Sequence, residues 1–291
     1  MHHRSPTALD WLLLLSLAAI WGVSFLFIKR SIAVYTPFQM ATWRMVLALL
    51  VYLPIGWLYW PRIDWKRWRA LLVVAFCGSA IPNFLFALAQ TRVSSSLAGV
   101  LNSLTPLFTL LIGVFFFQFR PSSSKVIGVL LGFAGATALV LFQRGRIAGG
   151  EVEYALLCVF ATLCYAINAN TVGRYLSDQH PAAIAAGAFM LTGGLFLIGL
   201  GWSGAWSVTS SRPDGVIGLG YISYLAVMGT VGGSILYFWL LQRTSALFAT
   251  SVTYLLPVTA LIVGALDGEE IEMVDLISTA IILIGVYLAR K

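Results

Sequence analysis

One arginine stands out among the residues whose chemistry could serve a function, because Arg44 is flanked by apolar residues on both sides. If a helix begins at Pro37, Arg44 lies about seven residues, or roughly 10 Å, along it. A charged side chain inside an apolar helix is costly to bury and usually serves a function. A guanidinium can hold a carboxylate through two parallel hydrogen bonds. Alternatively, Arg44 extends to the membrane surface or binds carbonyl groups at a helix end.

Asparagine and aromatic side chains interrupt other apolar runs. Asparagine is costly to bury, so we favour its lining a water-containing cavity, although hydrogen bonds between helices are the other interpretation. The aromatic rings are suited to the apolar walls of the same cavity, or else they pack in the core or face lipid. Together with the arginine, the candidate binding residues are Trp21, Arg44, Asn83, Asn102, Tyr165, Asn168 and Tyr254.

Acidic residues and histidines are missing from the interiors of the apolar runs. The nearest acidic residues, Asp10 and Asp275, stand at the ends of such runs. Proton-driven carriers usually relay protons through buried groups of this kind, which favours passive movement down a gradient or coupling at the membrane edge. The histidines are His2, His3 and His180, without metal-ligand spacing. We therefore expect no metal, no cofactor and no enzyme activity.

The composition points to a lipid bilayer as the partner of the whole chain. Of 291 residues, 59% are hydrophobic and 10% are charged, whereas soluble domains carry about 25% charged residues. The net charge of +7 comes from basic residues at the ends of apolar runs, without a dense patch, so nucleic-acid binding is not expected. A multi-pass protein of the cell (inner or plasma) membrane is predicted.

Ten apolar runs are long enough to form membrane-spanning helices. Short polar or turn-forming segments separate them, leaving no room for a separate soluble domain. The chain is therefore predicted to be an all-α integral membrane protein with ten transmembrane helices. The runs are 10–28, 37–59, 69–90, 95–119, 125–142, 153–176, 182–202, 216–240, 246–266 and 273–289.

Basic residues set the predicted orientation, since Lys and Arg resist translocation. Placing the N-terminus in the cytoplasm puts eleven Lys and Arg residues inside and six outside. Both termini are then cytoplasmic. Four tryptophans between Trp57 and Trp68 surround the most basic loop, as in an interfacial aromatic belt.

The sequence repeats itself at an offset of 151 residues. Seven identities fall in register over 22 positions. Because each half holds five spans, the second half must cross the membrane in the opposite sense, which predicts inverted repeats over residues 1–146 and 147–291 with a binding site between them. The first copy is Arg92, Ser94, Ala98, Leu104, Pro106, Leu110 and Gly113; the second is Arg243, Ser245, Ala249, Leu255, Pro257, Leu261 and Gly264.

The two repeated prolines, Pro106 and Pro257, are predicted to lie inside helices at equivalent places. Proline removes a backbone hydrogen bond and kinks a helix. Matched interruptions in two halves are typical of the binding region of an inverted-repeat carrier. We expect these residues to act as hinges, the alternative being static kinks.

These features together resemble the drug/metabolite transporter superfamily, in particular its EamA-type ten-helix exporters. The resemblance covers nearly the whole chain. Within the family, the chain is most similar to the YddG-type amino-acid exporters. After the fourth span, Phe117-Gln118-Phe119-Arg120 replaces the Gly-Glu pair frequent in the family. The motifs are Trp21-Gly22, Trp43-Arg44-x3-Ala48, Ala87-Leu88-x9-Ala98-x6-Thr105-Pro106-Leu107-Phe108, Gly128-x3-Gly132-x2-Gly135, Ala249-x7-Pro257 and Gly285.

The resemblance implies export of a small metabolite, with amino acids (aromatic ones included) as the expected substrate. Carriers of nucleosides, nucleotide sugars or drugs are alternatives, although cationic drugs would need a buried carboxylate. An integral-membrane enzyme or a channel fits the residues less well. The small-residue pattern Gly128-x3-Gly132 favours close helix packing within the chain over contact between protomers, so we expect a monomer or weak homodimer.

Overall fold

The computed structural model describes residues 6–142, 152–259 and 273–289, and every regular element within these ranges is a helix. The prediction of an all-helical protein is confirmed. We number ten helical segments, two of which are interrupted. They are α1 (Ala8–Ile32), α2 (Pro37–Tyr59), α3 (Trp65–Ala89), α4 (Ser95–Asn102 and Thr105–Phe117), α5 (Ser123–Phe142), α6 (Val152–Tyr175), α7 (Pro181–Ser203), α8 (Gly215–Arg243), α9 (Ala246–Thr259) and α10 (Met273–Ala289).

Seven of these segments, α1 to α4 and α6 to α8, are long and apolar enough to cross a membrane. The other three, α5, α9 and α10, contain shorter apolar stretches. The predicted ninth span continues to residue 266, and its last residues lie outside the described ranges, as does the predicted boundary between residues 146 and 147.

The start of α2 shows how local sequence sets a helix boundary. Thr36 is the N-cap, and its hydroxyl accepts a hydrogen bond from the amide of Gln39 at 3.3 Å. The Gln39 side chain in turn accepts from the Thr36 amide at 3.0 Å, completing a capping box. Pro37 follows at the first helical position, where no amide hydrogen is needed. Arg44 is thereby fixed two turns into α2.

Two helices contain π-helical segments at equivalent places in the two halves. In α3 the segment is Phe76–Ala80, and in α8 it is Leu225–Gly232. The offset of 151 residues that relates the repeated motifs carries Phe76–Ala80 onto residues 227–231, inside the second segment. A π-helical turn widens the helix and disturbs its hydrogen bonds, and such turns are frequent at functional sites.

Helices α4 and α9 are interrupted in an equivalent way. In α4 the residues between Asn102 and Thr105 form a turn, and in α9 a 3₁₀ turn occupies Ser251–Tyr254. The hydroxyl of Ser103 in the first interruption donates to the carbonyl of Thr253 in the second, at 3.1 Å. The interruptions of the two halves are therefore joined directly.

The predicted helix-interior prolines instead follow these interruptions. Pro106 is in the first turn of the helix Thr105–Phe117, where a missing amide hydrogen costs nothing. Pro257 is the third residue after the 3₁₀ turn of α9. Each helix is thus interrupted before its proline and resumes just ahead of it, at Thr105 and at Leu255, which differs from the predicted kink within a continuous helix.

Helices of the two halves pack against each other in symmetric pairs. Helix α5 packs on α10 and α2 packs on α7, while α1 packs on α8 as α6 packs on α3. The largest buried apolar cluster accordingly draws side chains from both halves, including Leu14, Tyr52, Phe189 and Phe248. The interior of the protein between the two halves is therefore formed by helices of both halves.

Small residues bring α5 and α10 into close contact. A Cβ atom on Gly128 would lie 2.5 Å from the Ala289 nitrogen and 2.7 Å from the Gly285 oxygen. On the opposite helix, a Cβ on Gly285 would lie 2.6 Å from Gly132 Cα. The small-residue face of α5 is thus occupied within the chain, as favoured from the sequence.

We expect the substitution Gly285→Ala to destabilise the protein by about 3 kcal/mol, the upper end for overpacking, since backbone atoms oppose the new methyl group. The measurement is the temperature at which half of the purified protein stays monodisperse in detergent. Gly194→Ala is the matched control, since no atom lies within 4 Å of a Cβ there. Equal midpoints for the two variants would contradict the prediction.

Ion pairs join the halves at the end predicted to be cytoplasmic. The Asp10 carboxylate, which is fully buried, accepts from Arg243 Nε at 2.5 Å and from the amide and hydroxyl of Thr7 at 2.8 Å each. Arg67 also binds Asp178 through both carboxylate oxygens, and these hydrogen bonds lower the pKa of Asp178. The Asp10–Arg243 pair attaches the start of α1 to the end of α8.

Candidate functional site

A cavity lies between the halves and is lined by residues of α1, α2, α3, α4, α6, α8 and α9. The centres of water-sized molecules can occupy about 110 Å³ of it. One water needs roughly 10–15 Å³ on this measure, so the cavity has room for several waters or a small metabolite. Six of the seven predicted binding residues line it: Trp21, Arg44, Asn83, Asn102, Tyr165 and Asn168.

Arg44 supplies the charge of this cavity. Its side chain is 6% exposed, and its Nε donates to the Thr230 hydroxyl at 2.9 Å. Thr230 belongs to the π-helical segment of α8 and donates its own hydrogen to the Leu225 carbonyl at 3.1 Å. Among the described residues, no carboxylate pairs with Arg44 and no acceptor binds its two Nη groups. The guanidinium is therefore anchored at one edge while its paired donors remain available.

The indole of Trp21 binds the same π-helical segment. Its Nε1 donates to the Gly229 carbonyl at 2.9 Å. A Cβ on Gly229 would lie 3.4 Å from both Arg44 Nη2 and Ser24 Oγ. These are ordinary van der Waals distances, and they place the guanidinium directly beside the backbone of the π-helical segment.

The amides of Asn83 and Asn102 are only weakly bonded within the protein. Asn83 Nδ2 has a 4.0 Å contact with the sulfur of Met45, and Asn102 Oδ1 accepts from Thr105 at 3.4 Å. Both distances are long for strong hydrogen bonds. These amides are consequently available to a ligand or to water in the cavity.

Aromatic rings form one wall of the cavity. Phe86 lies between Phe25, at a ring-centroid distance of 5.8 Å, and Tyr165, at 6.2 Å. On another side the Trp21 ring lies 5.6 Å from that of Tyr237. These distances are typical of favourable aromatic contacts, and the rings give the cavity an apolar surface beside its single charge.

Tyr254, the seventh predicted residue, does not line this cavity. It is fully buried, and its hydroxyl donates to the Val129 carbonyl at 2.8 Å. A Cβ on Gly132 would lie 2.6 Å from the Tyr254 ring, so the ring fills the space above that glycine. Tyr254 therefore packs α9 against α5, and we leave it out of the proposed site.

The sequence interpretation missed the residues of the π-helical segments that line the cavity. A signal was available, because the 151-residue offset pairs Gly78 with Gly229 and the hydroxyl residue Ser79 with Thr230. The pairing of a small residue followed by a hydroxyl residue is weak evidence on its own. It becomes informative only when both pairs are found at one cavity.

The lining described by the structure combines one guanidinium with neutral amides, hydroxyls and aromatic rings, and it contains no carboxylate. Such a site favours a small molecule with an anionic group, since a buried charge is stabilised by a partner of opposite sign. The fold and the cavity together define a helical membrane protein of two structural repeats with a partly polar cavity between them.

Comparisons with known proteins identify the family. Residues 10–141 and 153–290 each match the EamA-like transporter family. An uncharacterized transporter of Archaeoglobus fulgidus is 24% identical over 97% of this chain and 98% of its own length. The uncharacterized inner membrane transporter YedA of Escherichia coli is 26% identical over 94% of this chain and 88% of its own. A crystal structure of another protein, 18% identical, has the same fold, with a TM-score of 0.73 over 98% of this chain and 97% of its own.

The chain belongs to the EamA-like transporter family. It is a multi-pass membrane transporter, and the expectation that it is not an enzyme is confirmed by this membership.

Proposed function

We propose that this transporter exports amino acids, aromatic ones included, by alternating access, as a facilitator of the inner membrane. The observation that carries the proposal is the state of Arg44: it is buried at the cavity with both Nη groups unbound among the described residues. Those two donors match the two oxygens of a carboxylate. The aromatic wall suits a substrate with an apolar or aromatic side chain.

Outward transport and the amino-acid substrate also draw support from the resemblance to YddG-type exporters. Neither relative named above is a YddG protein, so that narrower likeness stays part of the proposal. The similarity to the inner membrane transporter YedA supports the inner membrane as the location.

In this proposal all ten helical segments cross the membrane as two inverted five-helix repeats, with both termini in the cytoplasm. The symmetric helix pairs, such as α1 with α8 and α6 with α3, support it. So do the equivalent interruptions of α4 and α9, beside Pro106 and Pro257. These interruptions are the proposed hinges for alternating exposure of the cavity.

Passive transport is supported by the lack of carboxylates among the described cavity residues. The buried Asp10 is bound to Arg243 at the far end of α1 and does not line the cavity. Because the small-residue face of α5 at Gly128 is occupied within the chain, we propose a monomer or at most a weak homodimer.

The test is uptake of radiolabelled amino acids into proteoliposomes holding the purified protein, with and without an imposed pH gradient. Saturable uptake of phenylalanine without the gradient is expected. Uptake that requires the gradient would refute passive transport. Uptake of a labelled nucleoside in place of any amino acid, by protein shown to be folded, would refute the substrate assignment.

A further inference from the structure

The two π-helical segments offer an internal comparison, because they are equivalent in sequence but occupied differently. In the second half, Gly229 and Thr230 bind groups from the first half: the Trp21 indole and the Arg44 guanidinium. In the first half, the equivalent residues are Gly78 and Ser79. Helix α6 of the second half presents Asn168 to Gly78.

Asn168 is held tightly against Gly78. A Cβ on Gly78 would lie 2.9 Å from both Cγ and Oδ1 of Asn168, so a side chain at this position would displace the Asn168 amide. Asn168 is 4% exposed, and its Oδ1 is buried without a hydrogen-bond partner among the described residues. An unpaired buried acceptor is costly in free energy, so its retention calls for an explanation.

Ser79 adds a second available group beside Asn168. Its side chain is 5% exposed and lines the same cavity. Most serine and threonine hydroxyls described in these helices donate to a carbonyl of the preceding turn, as Ser24 does to Ile20 at 2.9 Å and Ser31 does to Phe27 at 2.7 Å. Ser79 has no such hydrogen bond within the described residues.

From this comparison we infer that Gly78, Ser79 and Asn168 form a second subsite, which accepts hydrogen bonds from a primary ammonium group of the substrate. The inference rests on the proposed function, because it assigns the carboxylate of the same substrate to Arg44. The π-helical segment of the second half is occupied by a cation from the first half, whereas the segment of the first half lies beside acceptors that are unpaired among the described residues. A symmetric scaffold thereby gives a site with two chemically different ends.

The two ends together select zwitterions. The substrate carboxylate neutralises the charge of Arg44. The substrate ammonium then needs no carboxylate of the protein and binds the neutral oxygens of Ser79 and Asn168. Acceptor oxygens of a serine and an asparagine are suited to the hydrogens of an ammonium group. A site of this kind rejects an analogue without the donor, because the buried acceptors stay unpaired.

The test compares the binding of L-phenylalanine with that of 3-phenylpropionate, which has the carboxylate and the ring but no ammonium. Dissociation constants are measured by competition with labelled phenylalanine, on the full-length protein in nanodiscs. We expect the wild type to prefer phenylalanine by at least about tenfold, the size of one hydrogen bond to a charged group. Asn168→Leu and Ser79→Ala should each weaken phenylalanine binding about tenfold and leave 3-phenylpropionate within twofold.

Asn170→Leu is the matched control. It lies two residues further along the same helix, but its amide already donates to the carbonyls of Thr109 and Ala166, at 3.1 and 3.0 Å, and it does not line the cavity. Its preference for phenylalanine should equal that of the wild type.

Equal losses for both compounds in the Asn168 and Ser79 variants, or no loss, would overturn the subsite while leaving the proposed function intact. The same holds if the wild type binds both compounds equally. If the folded wild type binds neither compound, the proposed function is wrong and the subsite fails with it. Ser79→Ala removes only an oxygen atom, so it keeps the test decisive if Asn168→Leu does not fold.

Discussion

Replacing Arg44 with glutamine is expected to reduce phenylalanine uptake into proteoliposomes by about 30-fold or more at subsaturating concentration. Loss of one partner of a buried, hydrogen-bonded charge pair typically costs 2–5 kcal/mol, and each 1.4 kcal/mol is tenfold. Glutamine can still reach Thr230, which Arg44 Nε contacts at 2.9 Å. It cannot supply two parallel charged donors to a carboxylate.

The substitution Arg44→Lys makes this prediction more specific, because lysine keeps the positive charge but lacks the planar guanidinium with its paired donors. We expect an intermediate uptake rate, between those of the wild type and the glutamine variant. Arg69→Gln is the control: Arg69 stacks on Trp68 and does not line the cavity. Full uptake by folded Arg44→Gln protein would show that Arg44 serves only to anchor the Thr230 segment.

A large loss of stability is expected from Arg243→Gln, about 3–5 kcal/mol, because it removes a charged partner of a buried carboxylate. Asp10 is fully buried, whereas the Arg243 side chain is 23% exposed and stacks on Trp239. The reverse change, Asp10→Asn, should therefore cost less, since Arg243 can reach water. Thermal midpoints in detergent, with activity after cooling as a check for reversibility, measure both effects.

The double variant Asp10→Asn with Arg243→Gln completes a double-mutant cycle, which measures the interaction energy of the pair. It should be more stable than Arg243→Gln alone, because it removes both charges of this pair together. Equal losses from the two single changes, adding without interaction in the double variant, would contradict a direct pairing. Arg67→Gln provides a comparison, because its pairs with Asp64 and Asp178 are solvent-exposed and should contribute about 1 kcal/mol or less.

Composition and hydrophobic run length were sufficient to predict an all-helical membrane protein, because lipid imposes a strict length and polarity on each span. Arg44 and the three asparagines were predictable as cavity-lining residues for the same reason: polar groups are rare in spans and seldom face lipid. Their placement at one cavity is a consequence of helix packing. Tyr254 was misplaced because an aromatic ring is equally stable in a core, and the glycine beneath it is distant in sequence.

The local geometry of the interruptions could not be read from the sequence. Pro106 indicates an irregular backbone, yet it does not say whether the helix bends around the proline or restarts at it. The π-helical turns at Gly78 and Gly229 could not be predicted from apolar run length, because a run of apolar residues is compatible with either an α-helical or a π-helical turn. Only the repeat offset connected the two positions.

The hydrogen bond from Ser103 to the Thr253 carbonyl has a consequence for the cell that carries this protein. If the two interruptions act as the proposed hinges, this bond couples their movements, so that neither half rearranges alone. Coupled rearrangement disfavours simultaneous opening toward both compartments. Such coupling would keep the carrier from becoming a leak, so the metabolite pools and ion gradients on either side of the membrane would be preserved between transport cycles.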